Sequence, residues 1–179
     1  MKDFALTVVH PSGEKTNLTA TPQEDCYRAS FTPTEKGTYT VIMDNDKIEV
    51  YDLTKHNIGI FKAYYHATAK IQVGEKIEST IIDNENSITI KNVSEKAGEV
   101  KLKVFYKNEI LPNHDFNVFV PDQWTKKLRT DEEGYVTFSL PWTGTTYVVE
   151  ATFKEETSGK YNDIDYNFVW HCASLSVKI

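Results

Sequence analysis

Two stretches carry side chains of metal-binding or redox type: YYHATA around His66, and VWHCAS, where His171 adjoins Cys172. Imidazole nitrogen and thiolate sulfur are common transition-metal ligands, but a site needs three or four converging donors. Both stretches read as strands, in which successive side chains leave on opposite faces. His171 shares its parity with Val169, Ala173, Leu175 and Val177 and points to the apolar side. Cys172 leaves on the other face with Trp170 and Ser174, so a regular strand cannot bring the pair to one ion. His66 lies opposite Tyr65, Ala67 and Ala69, on a face shared with Thr68 and Lys70 that is expected to meet solvent or a domain interface. His66 and His171 are the candidate metal ligands, weighed against a hydrogen-bonded histidine at the edge of the core. His10 and His114 adjoin turn residues and are expected to be exposed.

Other chemistry is sparse. The sequence holds no Gly-x-Ser-x-Gly elbow, no His-Glu-x-x-His, no glycine-rich phosphate loop and no Cys-x-x-Cys, so no enzyme is expected. The acids of DNENS begin like a calcium loop, yet the sixth position is Ile88 where that loop needs glycine. Trp124 and Trp142 fall at loop or turn positions, in VPDQWTKK and LPWTGT, and exposed Trp is a frequent anchor for protein or sugar partners. Trp170, on the Cys172 face, is the third candidate partner-binding residue. A Cys26–Cys172 disulfide needs Cα atoms within about 7 Å, and free thiols are the expectation.

The elements that would hold these groups are strands. Apolar residues recur at every second position in Phe4, Leu6, Val8; in Tyr39, Val41, Met43; in Val100, Leu102, Val104, Tyr106; and in Tyr147, Val149, Ala151, Phe153. Helical spacing is scarce, so the chain reads as all-β. Asp44–Lys47 reads as a hairpin turn joining GTYTVIM to KIEVYDL, and Ser158-Gly159-Lys160 as the turn of the closing hairpin. In Thr130-Asp131-Glu132-Glu133-Gly134, Asp131 is placed to cap turn amides and Gly134 to supply a positive φ. Residues 74 to 87 are polar and acidic, which suggests a boundary between modules 1–75 and 76–179. Short strands with turns at close intervals fit two immunoglobulin-like β-sandwiches in tandem, without the Cys, Trp, Cys pattern of antibody domains.

With 40% hydrophobic and 26% charged residues the chain has the composition of a folded protein, and its formal charge of -6 disfavours nucleic acid as a partner. No apolar run approaches the roughly 20 residues of a membrane span, and MKDFALTVVHPSGEK meets a turn before any signal-peptide core could form. A soluble chain is expected, cytoplasmic or a mature exported domain without its leader.

The phrase from KVFYKNEILP through TDEEGYVTFSLPWTG to YVVEATF resembles the transthyretin-like or carboxypeptidase-regulatory-like modules of exported bacterial proteins. Across nearly the whole chain, DFALTV, GTYTV, YYHATAKIQVG, TDEEGYVTFSLPWTG and YVVEA follow an order similar to a bacterial family of nickel-uptake, NikM-like periplasmic proteins. Members commonly begin the mature chain with a His where this one has Lys2, which weakens the carry-over of nickel binding to this terminus. The resemblance implies a periplasmic or surface-attached two-module β protein with no established reaction. The expected function is thus a non-enzymatic exported binding or accessory protein of an envelope transport or surface system, its partner an envelope protein or a small ligand. The alternative is a periplasmic protein for a divalent transition metal such as nickel or cobalt, held by His66 and His171.

Overall fold

The structure, a computed structural model, describes residues 3–74, 84–96, 98–120 and 124–178. Its first half contains β1 (Ala5–Val9), β2 (Lys15–Asn17), β3 (Thr21–Pro22), β4 (Tyr27–Arg28), β5 (Gly37–Asn45), β6 (Tyr51–Asp52) and β7 (Ile60–Val73). The second opens with β8 (Ile88–Asn92), β9 (Glu99–Tyr106), β10 (Glu109–Ile110), β11 (Asp115–Val120) and β12 (Trp124–Arg129). It continues through β13 (Tyr135–Ser139), β14 (Thr146–Glu155), β15 (Gly159–Tyr161) and β16 (Ile164–Tyr166) to β17 (Phe168–Lys178). One turn of 3-10 helix, Thr54–His56, sits between β6 and β7 and ends on Asn57 in the left-handed conformation.

The protein is all-β, as the alternation implies. A nine-stranded sheet runs in the order β12-β11-β14-β17-β7-β5-β1-β2, with β6 added to β7. A four-stranded sheet of β8, β9, β10 and β13 covers one face of the β11, β14 and β17 region. The core lies between the two sheets: Leu102, Val104, Phe116, Val118, Tyr147, Val149, Leu175 and Val177 are all buried. Each is the inward member of an alternating strand, and burying such a side chain contributes about 1.5–3 kcal/mol.

The two halves of the sequence share the large sheet. β7 and β17 lie side by side at its middle, parallel, in register from Phe168 opposite Phe61 to Ser176 opposite Ala69. The expected module boundary coincides with residues 75–83, which lie outside the described residues. On the sheet face away from the small sheet, Phe61, Ala63 and Phe168 form a second cluster, joined by Ile48, Leu53, Tyr65 and Trp170.

Three local expectations change. KIEVYDL does not return beside GTYTVIM; β5 has β1 and β7 as neighbours, and only Tyr51 and Asp52 of that segment pair, with β7. The carbonyls of Asp46 and Ile48 instead accept bonds from Lys62 Nζ, each at 2.5 Å. The expected hairpin turn at Ser158–Lys160 is the first strand of a small arm, β15 with β16, which turns at Asn162 and Asp163, both at positive φ. β17 then pairs antiparallel with β14 from Val169 to Lys178. His10 and His114 are half-buried, not exposed: the His10 ring packs on buried Tyr39 while bonding Thr16 Oγ1 at the surface, and the His114 ring meets the Thr152 carbonyl.

The Thr130–Gly134 turn is built as its chemistry requires. Asp131 Oδ1 accepts the amides of Glu133 (2.9 Å) and Tyr135 (2.8 Å), and Gly134 sits at φ 77°. A Cβ there would lie 2.5 Å from Ile110 Cγ2 and 3.1 Å from the Val104 carbonyl oxygen. Gly134→Ala therefore combines a disfavoured backbone with a clash, and should cost about 2 kcal/mol, a melting point lower by roughly 4–8 °C in calorimetry. An unchanged melting point would show that the turn relaxes freely.

Candidate functional site

The densest polar cluster is built around His171, and most of it comes from residues far away in sequence. β17 aims His171 inward, opposite Phe153 of β14 and Tyr64 of β7. Across the sandwich, Ser87 at the entry to β8 places its Oγ 2.7 Å from His171 Nδ1. Glu155 Oε2, at the end of β14, lies 3.0 Å from Nε2, and the Tyr106 hydroxyl 3.4 Å from the same nitrogen. Lys107 donates from Nζ to the other carboxylate oxygen of Glu155. A carboxylate can only accept, so Nε2 carries the proton and Nδ1 accepts from the Ser87 hydroxyl.

The electrostatics support that assignment. Burial holds the His171 imidazolium disfavoured, pushing its pKa below the ordinary value against the opposing pull of Glu155. Burial raises the Glu155 carboxyl, but the hydrogen bonds from Lys107, His171 and Tyr106 outweigh it and bring it down to about 2. The bond to Glu155 lifts Lys107, and desolvation lifts Tyr106. The result is a neutral imidazole beside an anion that is itself neutralised by an ammonium.

By connectivity alone, Ser87, His171 and Glu155 form the nucleophile, base and orienter of an acyl-transfer triad. Access decides against that chemistry. Ser87 and His171 are each 1% exposed, so a carbonyl carbon has no approach to the serine oxygen in this conformation. The cluster acts as a polar tie between the two sheets, with every group that faces inward satisfied. The sequence places His171 on the apolar side; it does not reveal Ser87, Tyr106 or Glu155, which stand 84, 65 and 16 positions away.

His66 lies on the same sheet face as His171, two register steps along β7: Tyr64 is opposite His171, and His66 opposite Ala173. Of the two expected settings, solvent or a domain interface, its face has the second, because β8 of the second half packs over this part of the sheet. Nδ1 is 2.5 Å from Asp44 Oδ1 on β5, while Nε2 is buried without a hydrogen-bond partner. It borders a cavity of about 10 Å³ lined also by Ile42, Thr68, Asn84, Ile88 and Ala173. That volume takes a single water-sized group. With both nitrogens of His171 engaged, the two candidate ligands do not converge on one point. Among the described residues no group of three or more His, Cys, Asp and Glu side chains is placed to hold a metal ion.

Cys26 and Cys172 are free thiols, the first exposed and the second buried. Burial, with Glu150 beside it, pushes the Cys172 thiol up to about 12, leaving it unreactive at neutral pH. Trp170 is half-buried against Phe61 and Phe168, with ring centroids 6.3 and 6.4 Å away. The other two tryptophans differ. Trp142 is 47% exposed, and its ring meets Trp124 edge to face at 5.9 Å. Tyr147, fully buried, receives the Trp142 amide on its hydroxyl and donates that hydroxyl to the Trp142 carbonyl. A separate open groove of about 330 Å³ is lined by Ala69, Lys70, Asn92, Thr146, Ser176 and Val177, at the ends of β7, β14 and β17.

These features define an all-β sandwich protein with a closed polar core tie and a half-exposed aromatic rim. Comparison with known families and with curated proteins finds no match for the chain. No helix among the described residues is long and apolar enough to cross a membrane.

The His171 cluster makes stability depend on acid in two windows. Below pH 6.5 the unfolded histidine takes a proton that the folded one resists, so stability falls with pH. The Glu155 contribution is whole above pH 4.5 and is lost as pH falls toward 2. Denaturant titrations of the wild type and Glu155→Gln should therefore differ most above pH 4.5 and converge as the pH approaches 2. A difference equal at pH 3 and at pH 7 would remove Glu155 from this role.

Proposed function

We propose that the protein is a non-enzymatic binding or accessory component of an envelope transport or surface system, and that it engages its partner through Trp142. The observation that carries this reading is the presentation of that ring. A large apolar side chain left half in solvent is usually mobile, yet Trp142 is held at its backbone by Tyr147 and at its ring by Trp124. An anchor fixed before binding loses little conformational freedom when it binds, which raises affinity for a given contact area. The envelope setting rests on the resemblance of the strand and turn phrases to exported modules, and Trp170, packed against Phe61 and Phe168 at the other end of β17, is not part of this surface.

The test is retention of an envelope fraction, protein and polysaccharide together, on immobilised wild-type protein and on Trp142→Ala. The variant should keep its melting point and lose most of the bound material, because hot-spot aromatic residues are worth about 2 kcal/mol or more. Retention of the same material by the variant would count against the reading.

A second reading, a transition-metal protein of nickel or cobalt type, is favoured by one observation. His66 Nδ1 is oriented by Asp44, the arrangement that commonly positions a metal-bound histidine, and its Nε2 remains free. On this reading calorimetric titration of tag-free protein with Ni²⁺ gives saturable binding that His66→Ala removes. No saturable heat, or heat that survives the substitution, would dismiss it.

A further inference from the structure

The outer face of the small sheet gathers positive charge that the fold does not require. In β9, Leu102 and Val104 turn into the core, while Lys101, Lys103 and Phe105 leave on the other face, half-buried. Residues directly opposite across a ladder share a face, and the register adds Lys91 of β8 and Tyr135 of β13, both opposite Lys103. Ile110 of β10 lies opposite Phe105 and is 44% exposed. The side-chain geometry agrees with the register. Lys103 Nζ is 4.5 Å from the Tyr135 ring centroid and 5.7 Å from that of Phe105, Lys101 Nζ is 4.3 Å from Tyr135, and Lys91 Nζ is 5.3 Å from Phe105. Three ammonium groups and two rings thus form one continuous patch.

Like charges directly opposite each other destabilise a sheet, and Lys91 with Lys103 is such a pair. The rings hold the ammonium groups in place, yet attraction to a ring face does not neutralise them. Elsewhere on the chain Lys107, Lys154 and Lys160 are ion-paired with Glu155, Glu156 and Asp163. Among the described residues Lys91, Lys101 and Lys103 make no ion pair. Glu99 shares their face at its far end, opposite Ser139, and is not paired with them. On a chain of formal charge -6, this local positive patch is complementary to an anionic partner.

We infer that this face docks an acidic, extended segment of a partner protein, with alternate carboxylates on Lys101 and Lys103 and an apolar side chain on Phe105 and Ile110. The repeat matches, because side chains two positions apart recur at roughly 7 Å both along β9 and along an extended peptide. A segment running along β9 brings its first and third side chains to Lys101 and Lys103 and its fifth to Phe105, where exposed Ile110 adds apolar surface. Lys91, beside Lys103, strengthens the middle position. Single-stranded nucleic acid suits the face less well: bases stack on free rings, and each ring here already has two ammonium groups within about 6 Å. A lipid surface is matched by a broader apolar face than Ile110 supplies. The inference goes beyond the Trp142 reading and does not depend on it.

The test is fluorescence anisotropy with a labelled peptide carrying Glu at its first and third positions and Leu at its fifth, against a counterpart with Gln for both Glu. The acidic peptide should bind the wild type, and the Gln counterpart at least about tenfold more weakly, since one charge-assisted hydrogen bond is worth about that factor. The double variant Lys101→Gln, Lys103→Gln should weaken the acidic peptide to the level of the counterpart, and Ile110→Ser should weaken both peptides alike. These lysines hold no ion pair, so the double variant should keep its melting point; raising the salt concentration on wild-type protein gives the same comparison without substitution and should weaken only the acidic peptide. No binding to the wild type, equal binding of the two peptides, or binding indifferent to salt and to the double variant would each overturn the inference. So would tighter binding of an oligothymidylate or of phosphatidylglycerol vesicles than of the acidic peptide. Trp142→Ala should leave the peptide affinity unchanged, which keeps this outcome separate from that of the envelope-fraction test.

Discussion

The parallel pairing of β7 with β17 is the constraint on which the rest of the fold depends. These are two of the longest strands, and each is flanked on its far side by strands from its own half of the chain: β5, β1 and β2 beyond β7, and β14, β11 and β12 beyond β17. Without that ladder the large sheet would divide into two smaller ones at the middle of the sequence. Parallel neighbours cannot be joined by a tight turn, so the whole of the second half must be laid down before the last strand can close against β7. Such a contact is made late and costs loop-closure entropy, which the buried Phe61, Ala63, Phe168, Ala173 and Leu175 side chains offset.

The same pairing explains why polar groups are tolerated at the centre. β7 is covered on both faces: by β8 on the side of His66, and by the segment around Ile48 and Leu53 on the side of Phe61. Between Phe61 and Thr68 the strand has no solvated face to which a lysine or histidine can turn, so Lys62 and His66 need internal partners; only its last residues, from Lys70, are exposed. Lys62 finds two carbonyls and the ring of Tyr161, 4.1 Å away, and desolvation lowers its pKa. His66 finds Asp44, and His171 finds Ser87 and Glu155. Burying unpartnered groups of these kinds would cost about 1–3 kcal/mol each, or more for a charge, so their positions specify how the sheets meet.

The all-β class was legible because period-two alternation depends only on nearest neighbours along the chain. So was the Asp131–Gly134 turn, whose chemistry lies within five residues. What alternation does not encode is what covers a face. In β7 both parities carry apolar residues; alternation put His66 on a face meeting solvent or a domain interface, and of these the structure has the second, β8 from beyond the expected boundary lying over it. Likewise KIEVYDL has strand-like alternation, but Lys62 draws the carbonyls of Asp46 and Ile48 into hydrogen bonds and only Tyr51 and Asp52 pair. The separation of His171 from Cys172 followed from the pleat and agrees with the structure; the partners of His171 did not follow, since they come from three other strands and their approaches.

The contrast between the two polar regions bears on where this protein acts. In the His171 cluster every donor and acceptor is matched inside the molecule, and the group best suited to nucleophilic attack is sealed by the sheets. At the Trp142 rim the opposite holds: an indole held through its backbone by Tyr147 is half in solvent. A satisfied buried network stabilises one structure but has nothing further to offer a ligand, whereas unsatisfied groups on a rigid edge can bind without rearrangement. Capacity for further contacts therefore lies where the strands end, at the exposed Trp142 indole, and not among the core histidines.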